Sequence, residues 1–135
     1  MRTKFLQDLK TGQHYEKLAL KYIHSVGYKK AYIKDGYHKE YDIYVPELKI
    51  GVEVKSDEQY KKTGNFYVEY YCNGKPSGIT TTTAKYYFVY LDFLYIIETH
   101  ALKEKCRKYI NTNRDKKGGD NNASKGIILP IKELI

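Results

Sequence analysis

Two β-strands joined by a tight connection are predicted by residues 41–55, which read YDIYVPELKIGVEVK. The runs at 41–45 and 50–55 are rich in β-branched and aromatic residues, as strands are. The segment between them, 46–49, begins with a proline and is polar at two of its four positions. The stretch is therefore typical of a β-hairpin, and the rest of the fold is worked out from it.

The register of this hairpin places two acidic side chains opposite each other. If Glu47 and Leu48 form a two-residue loop, Asp42 pairs with Glu53, and any loop with an even number of residues keeps both on one face. Opposed Cβ atoms lie about 4.5–5.5 Å apart, where two like charges are destabilising unless a cation compensates. Because side chains alternate along a strand, Lys55 shares the face of Glu53. We expect two carboxylates and an amine on one surface.

This combination suits the hydrolysis of a phosphodiester bond. Hard oxygen ligands hold Mg²⁺, which usually takes one or two carboxylates together with substrate phosphate. Lys55 would hold or deprotonate the attacking water and stabilise the charge that develops at phosphorus. The pattern predicts that removal of Lys55 abolishes turnover and leaves folding intact. The alternative is an ordinary solvated strand face, which does not explain why two acids are opposed.

An amphipathic helix precedes the hairpin. Apolar side chains recur there with helical spacing, namely Tyr15, Leu18, Ala19, Tyr22, Ile23 and Val26. Thr11 fits an N-cap, and Gly27 fits the left-handed residue that follows a helix. At about 100° per residue, Glu16 projects at the border of the apolar stripe, next to Ile23. We therefore expect Glu16 near the buried side of the helix.

The remaining sequence predicts more strands and one more long helix. We expect an edge strand at 28–33, a polar connection at 34–40, a third antiparallel strand of a meander at 65–71, a short helix from 77 toward 86, a buried strand through 88–97, a helix at 101–110, a mobile loop at 111–125 and a final strand at 126–131. The fold class is therefore α/β, with a central mixed sheet that contains an antiparallel meander and is flanked by helices. The 135 residues fit a single domain, 1–135.

The cellular setting is predicted from cysteines and apolar runs. Cys72 and Cys106 fit two thiols of an intracellular protein, and neither they nor the four histidines have zinc-ligand spacing. No apolar run approaches the roughly 20 residues of a membrane span, and no secretory signal is visible. We expect a cytoplasmic protein without a membrane partner.

The net charge of +8 favours a polyanionic partner, with nucleic acid as the first candidate. Most of the excess lies in 99–125, although a lysine-rich and tyrosine-rich composition also follows from AT-rich coding. The candidate DNA contacts are Lys75, Thr80, Thr81, Lys116, Lys117 and Lys125. For Thr80 and Thr81 the alternative role is helix capping. For Lys116, Lys117 and Lys125 the alternative is a loop that only increases solubility. Glu69 is a further candidate metal ligand, with an exposed strand carboxylate as its alternative.

Asp42, ten intervening residues and then Glu53-Val54-Lys55 resemble the motif of the PD-(D/E)XK nuclease superfamily. A preceding helix that bears Glu16 is similar to the Holliday-junction-resolvase-like branch of that superfamily. The resemblance covers about residues 13–70 and extends to segments that look like small phage-encoded nucleases. It implies a restriction-endonuclease-like fold, in which Asp42, Glu53 and the carbonyl of Val54 bind the metal. Lys55 would serve the nucleophilic water, and Glu16 would approach the same cluster as a further catalytic residue and metal ligand.

The resemblance also implies a function and its partners. The protein is expected to be a Mg²⁺-dependent DNA endonuclease, with Mn²⁺ able to substitute, that acts on branched or junction DNA as a homodimer. No small-molecule cofactor is expected, and the location is the host cytoplasm if the protein is phage-encoded. Two alternatives remain open, a non-catalytic nucleic-acid-binding module on the same fold and a restriction-type nuclease of linear duplex. The chain is short of recognition insertions for the second.

Overall fold

The computed structural model describes residues 3–36, 40–118 and 123–135. In these ranges the α-helices are α1 (Thr3–Ser25), α2 (Tyr60–Thr63) and α3 (Thr99–Arg107). The strands are β1 (Tyr32–Ile33), β2 (Ile43–Val45), β3 (Ile50–Ser56), β4 (Asn65–Cys72), β5 (Lys75–Pro76), β6 (Tyr86–Tyr90), β7 (Leu94–Glu98), β8 (Asp115–Gly118) and β9 (Ser124–Pro130). Short 3-10 helices occur at Gly78–Thr80 and Ile131–Leu134.

The strands form two sheets. The first has five strands in the order β1-β2-β3-β6-β7, with β3 and β6 parallel and the other neighbours antiparallel. The second has four antiparallel strands in the order β5-β4-β9-β8. The expected α/β class, with a mixed central sheet, an antiparallel meander and flanking helices, is confirmed.

The third strand of the meander is β1, and the prediction that 65–71 fills this place is wrong. β4 belongs to the second sheet, where it pairs with β9. The free edge of β3 is taken by β6, whose central residues are all buried. A parallel strand that is covered on both faces needs such a continuous apolar run, and the alternating strand β4 does not provide one.

The β2–β3 hairpin keeps the predicted pairing with a longer connection. Ile43 pairs with Val52 and Val45 with Ile50, so four residues, 46–49, join the strands instead of two. Lys49 closes this connection with a positive φ of 56°. Because the loop length is still even, the facing of the side chains is unchanged.

Helix α1 begins at Thr3, so the prediction of Thr11 as its N-cap is wrong and Thr11 lies inside the helix. Its end agrees with the sequence, since Gly27 follows Ser25 with a φ of 114°. The amphipathic pattern starts well after the helix does, which is why the pattern alone places the start too late.

The buried stripe of α1 is rotated relative to the predicted one. Leu18, Tyr22 and Val26 are 39%, 41% and 52% exposed, whereas Ala19 and Ile23 are buried. The packed face therefore follows the spacing of Glu16, Ala19 and Ile23. As a result Glu16 lies within the face that packs on the sheet, and it is half-buried.

Three further elements differ from the sequence prediction. The helix expected from 77 toward 86 is one 3-10 turn, because the backbone N–H groups of Thr83 and Lys85 donate to the carbonyls of Glu40 and Gly51 instead of continuing a helix. The strand expected through 88–97 is the β6–β7 hairpin, which turns where Leu91 N–H bonds to the carbonyl of Phe93. The loop expected at 111–125 contains the lysine-bearing edge strand β8. Residues 119–122 of this expected loop and residues 37–39 of the expected polar connection lie outside the described part of the chain.

Two cores cover the two faces of the five-stranded sheet. One lies toward α1 and includes Ala19, Ile23, Ile43, Val45, Val52 and Val54, and the other lies toward the second sheet and α3 and includes Phe66, Val68, Val89, Leu102, Ile127 and Leu129. Cys72 and Cys106 are free thiols. No helix in the described ranges is long and apolar enough to cross a bilayer.

Candidate active site

The candidate site lies where β2 begins beside the middle of β3. Asp42 precedes β2, and its backbone N–H donates to the carbonyl of Val52 at 2.9 Å. The paired residues of the hairpin end at Ile43 and Val52, so this bond holds Asp42 just beyond the pairing and beside Val52. The register pairs Ile43 with Val52, and the Asp42 and Glu53 carboxyl groups lie close enough to interact.

Asp42 is buried, with only 8% of its surface exposed, and it is held by the backbone of β3. Its Oδ2 accepts a hydrogen bond of 2.7 Å from the N–H of Val54. The N–H and C=O of one strand residue point to the same side. The Val54 carbonyl therefore points to the side of β3 on which Asp42 lies, past the start of β2.

Glu53 is enclosed by polar groups. Its side chain is 12% exposed, and its Oε2 lies 3.8 Å from Nζ of Lys55. Burial, and then the neighbouring Asp42 carboxylate, raise the pKa of Glu53 to about 7, while Lys55 and a hydrogen bond from Thr82 act in the opposite direction. Two carboxyl groups at close range in a buried place make a site that favours either a shared proton or a cation.

Thr82 is a site residue that the sequence analysis missed. Its hydroxyl lies 3.2 Å from Oε1 of Glu53 and 2.9 Å from the carbonyl of Glu40, and its oxygen accepts from the N–H of Ala84 at 3.1 Å. The sequence instead predicts DNA contacts at its neighbours Thr80 and Thr81. Only the parallel pairing of β3 with β6 brings Thr82 to Glu53, and no local pattern reveals that pairing.

A cleft of about 630 Å³ opens between α1 and β3. Glu16, Asp42, Val54 and Lys55 all contribute to its wall, so the helix glutamate and the hairpin motif meet there. Glu53 does not line the cleft and lies behind it, in contact with Asp42 and Lys55. The structure thus brings Glu16, Asp42 and Lys55 to one cleft, and Glu53 contacts two of them, Asp42 and Lys55, outside its wall.

The donor set fits a magnesium ion more than a softer metal. Among the described residues, no group of three or more His, Cys, Asp or Glu side chains is arranged to hold a metal. The cleft instead offers the Asp42 carboxylate, the Val54 backbone and the neighbouring Glu16, and the Glu53 carboxyl group adjoins Asp42. Hard oxygens in small number suit Mg²⁺, which keeps several waters or phosphate oxygens as ligands.

The lysines predicted to contact DNA lie on the second sheet. Lys75, Lys116, Lys117 and Lys125 are all exposed. Lys117 and Lys125 are direct partners across β8 and β9, and Nζ of Lys125 lies 5.8 Å from the centre of the Tyr71 ring. Two directly opposed ammonium groups are unfavourable unless an anion lies near them.

The other predicted contacts are engaged with the protein itself. The Thr80 hydroxyl donates to the carbonyl of Tyr70 at 2.8 Å, and the Thr81 hydroxyl lies 3.4 Å from the carbonyl of Gly78. The helix N-terminus expected behind them is a single 3-10 turn. Glu69 lies in the second sheet, where it accepts a hydrogen bond from Ser77, and it does not line the cleft.

Comparisons of the chain with protein-family models, with curated proteins and with solved structures find no match. The acidic pair, Lys55 and the cleft are therefore the features that indicate a function.

Proposed function

We propose that the protein is a Mg²⁺-dependent DNA endonuclease, and more specifically a resolvase of Holliday junctions. The observation that carries the proposal is the contact between the Asp42 and Glu53 carboxyl groups, with Nζ of Lys55 3.8 Å from Glu53 and with Asp42 and Lys55 both lining an open cleft. This arrangement supplies the oxygen ligands and the cation that phosphodiester hydrolysis needs.

The chain's own groups have separable tasks in this reaction. Asp42, Glu53 and the Val54 carbonyl would hold the metal, which supplies charge neutralisation at the phosphate and a more acidic water. The Lys55 amine orients the attacking water and stabilises the charge that develops on the phosphate oxygens. Attack of the water oxygen on phosphorus forms one P–O bond while the bond to the leaving sugar oxygen breaks. Glu16, in the same cleft, completes its acidic wall.

The basic face of the second sheet supports DNA as the substrate. The Lys117 and Lys125 pair, together with the net charge of +8, favours contact with backbone phosphates without base readout. Such contacts make binding strongly salt-dependent, because each neutralised phosphate releases counterions.

Replacing both Lys117 and Lys125 with alanine is expected to weaken DNA binding several-fold and to lower the slope of log K against log salt by about 2. Titration of a fluorescent junction at several salt concentrations measures both quantities. The double variant Lys29→Ala/Lys30→Ala removes the same charge from exposed positions after α1 and should leave the slope within error. Equal losses in the two variants would assign the effect to net charge alone.

A labelled four-way junction, compared with nicked, flap and linear DNA in Mg²⁺ and in Mn²⁺, tests the function itself. We expect cleavage of the junction at paired positions on two strands, which suits a homodimer with two-fold symmetry. An intact junction at high protein concentration and low salt would contradict the proposal. Tight salt-dependent binding without cleavage in any metal would indicate a binding module, and sequence-specific cuts in linear duplex would indicate a restriction-type nuclease.

A further inference from the structure

A second hollow adjoins the cleft near the end of β3. Its volume is about 310 Å³, and it shares a wall with the cleft, formed by Tyr15, Ser56, Asp57 and Glu58. A volume near 300 Å³ is at the small end of the range for ligand sites. No step of the proposed hydrolysis uses this hollow, which lies beside the cleft that we propose for the DNA strand.

Tyrosine rings form the inner walls of the hollow. Tyr15 and Tyr90 lie with ring centroids 5.0 Å apart and with planes inclined by 33°, and Tyr60 adds a third ring. All three rings are half-buried, so each is fixed by packing and still reaches the hollow. Aromatic faces of this kind are what nucleic-acid-binding proteins offer to unstacked bases.

The charged groups of the hollow favour a base over a second phosphate. Both carboxylate oxygens of Asp57 already accept backbone N–H bonds, from Gln59 at 2.9 Å and from Tyr67 at 3.1 Å. Glu58 is exposed, repels phosphate and accepts hydrogen bonds from an amino group. Lys61 is exposed and takes part in no ion pair among the described residues, so it is placed to contact the phosphate that accompanies the base.

We propose that this hollow, the base pocket (Tyr15, Tyr60, Tyr90 and Lys61), binds an unpaired nucleobase of the DNA strand that lies in the cleft. Inside a duplex both faces of a base are covered by its neighbours, so only an unpaired or extruded base enters. The base pocket therefore selects DNA with an unpaired nucleotide next to the phosphate that is cut. This inference rests on the proposed function for the position of the strand.

Base capture can be measured without cleavage. The probe is a flap oligonucleotide with fluorescent 2-aminopurine at its unpaired junction nucleotide, added to a Lys55→Ala protein in Mg²⁺. Stacking on tyrosine quenches this fluorophore, so we expect quenching that Tyr60→Phe retains and Tyr60→Leu loses, with about tenfold weaker binding in the second variant. Tyr32→Leu is the control, because Tyr32 is 49% exposed on the edge strand β1 and does not line the pocket.

A melting curve is recorded for each variant to check that Tyr60→Leu is folded. Cleavage by variants that retain Lys55 then separates this inference from the proposed function. We expect Tyr60→Leu to lower the ratio of kcat/KM for flap DNA to that for fully paired duplex about tenfold, while Tyr60→Phe and Tyr32→Leu leave the ratio unchanged. An unchanged ratio and unchanged quenching in Tyr60→Leu would overturn the base pocket even if the protein is a nuclease. Quenching that depends on Tyr60 in a protein that cuts no DNA would support the base pocket and overturn the nuclease.

Discussion

Replacement of Lys55 by alanine is expected to slow DNA cleavage by about 10³-fold in saturating Mg²⁺, with little change in stability. The Lys55 side chain is 48% exposed, and its ion pair with Glu53 spans 3.8 Å. Exposed pairs of this kind contribute little to folding, so the loss falls on the reaction. Single-turnover cleavage of a labelled junction measures the chemical step, and Asp42→Asn should cause a loss of similar size by removing one metal ligand.

A matched lysine provides the control for this prediction. Lys85 is 49% exposed and forms an ion pair of 3.1 Å with Glu98, away from the wall of the cleft. Lys85→Ala removes the same charge from a side chain of the same exposure, so we expect cleavage within about twofold of the unmodified protein. A Lys55→Ala protein that cuts within tenfold of the unmodified rate would remove Lys55 from the chemistry.

The part of the site that the sequence predicts is the part that depends on local geometry. Within 41–55, side-chain alternation and an even loop length predict that Asp42, Glu53 and Lys55 share one surface. The loop has four residues where two were expected. Because both numbers are even, Ile43 still pairs with Val52. Facing within a hairpin needs no knowledge of the rest of the chain.

The part that the sequence does not predict depends on contacts between distant segments. β3 gains a parallel neighbour from 86–90 instead of an antiparallel one from 65–71. Such pairing is decided by which strand buries both faces of the sheet, and this is a property of the whole core. Thr82 reaches Glu53 only through that pairing. Its hydrogen bond to Glu53 therefore cannot be predicted from the sequence, where it is one of four consecutive threonines.

The rotation of α1 shows how a small error in the core affects the site. Tyr22 is among the large apolar residues that remain exposed, so counting apolar positions shifts the predicted stripe away from Glu16. The packed stripe contains Glu16 because the buried residues Ala19 and Ile23 lie three and seven positions after it, on the same side of the helix. Apolar character predicts that a helix packs, while side-chain size decides which face does so.

The free energy of unfolding is expected to fall as pH rises from about 5 to about 7 in the absence of divalent cations. In the folded protein the pKa of Glu53 is raised from 4.5 to about 7, chiefly by burial and then by Asp42. The unfolded chain therefore releases this proton near pH 4.5 and the folded chain near pH 7. Between these values the folded state binds more protons, so stability decreases with pH, by roughly 3 kcal/mol in total.

Glu53→Gln tests this dependence because it keeps the shape of the side chain and removes its charge. We expect the variant to lack this decrease, so that at pH 8 it is more stable than the unmodified protein by a similar roughly 3 kcal/mol. Urea unfolding at pH 5, 6, 7 and 8 gives the difference in the free energy of unfolding between the variant and the unmodified protein at each pH. Glu98→Gln, at an exposed ion pair, should change stability by less than about 1 kcal/mol at every pH. If this difference does not change with pH, the ionised Glu53 carboxylate does not destabilise the folded protein.

Mg²⁺ links this stability effect to the proposed function. A divalent cation held by Asp42 and Glu53 would offset the burial and the repulsion that raise the pKa of Glu53, so Mg²⁺ would compete with the proton for the deprotonated pair. We therefore expect Mg²⁺ to increase the melting temperature of the unmodified protein more at pH 8 than at pH 5, and to have a much smaller effect on Glu53→Gln. Equal effects of Mg²⁺ on both proteins at pH 8 would place the ion elsewhere. The charge of the Glu53 carboxylate would then have no role in holding the metal.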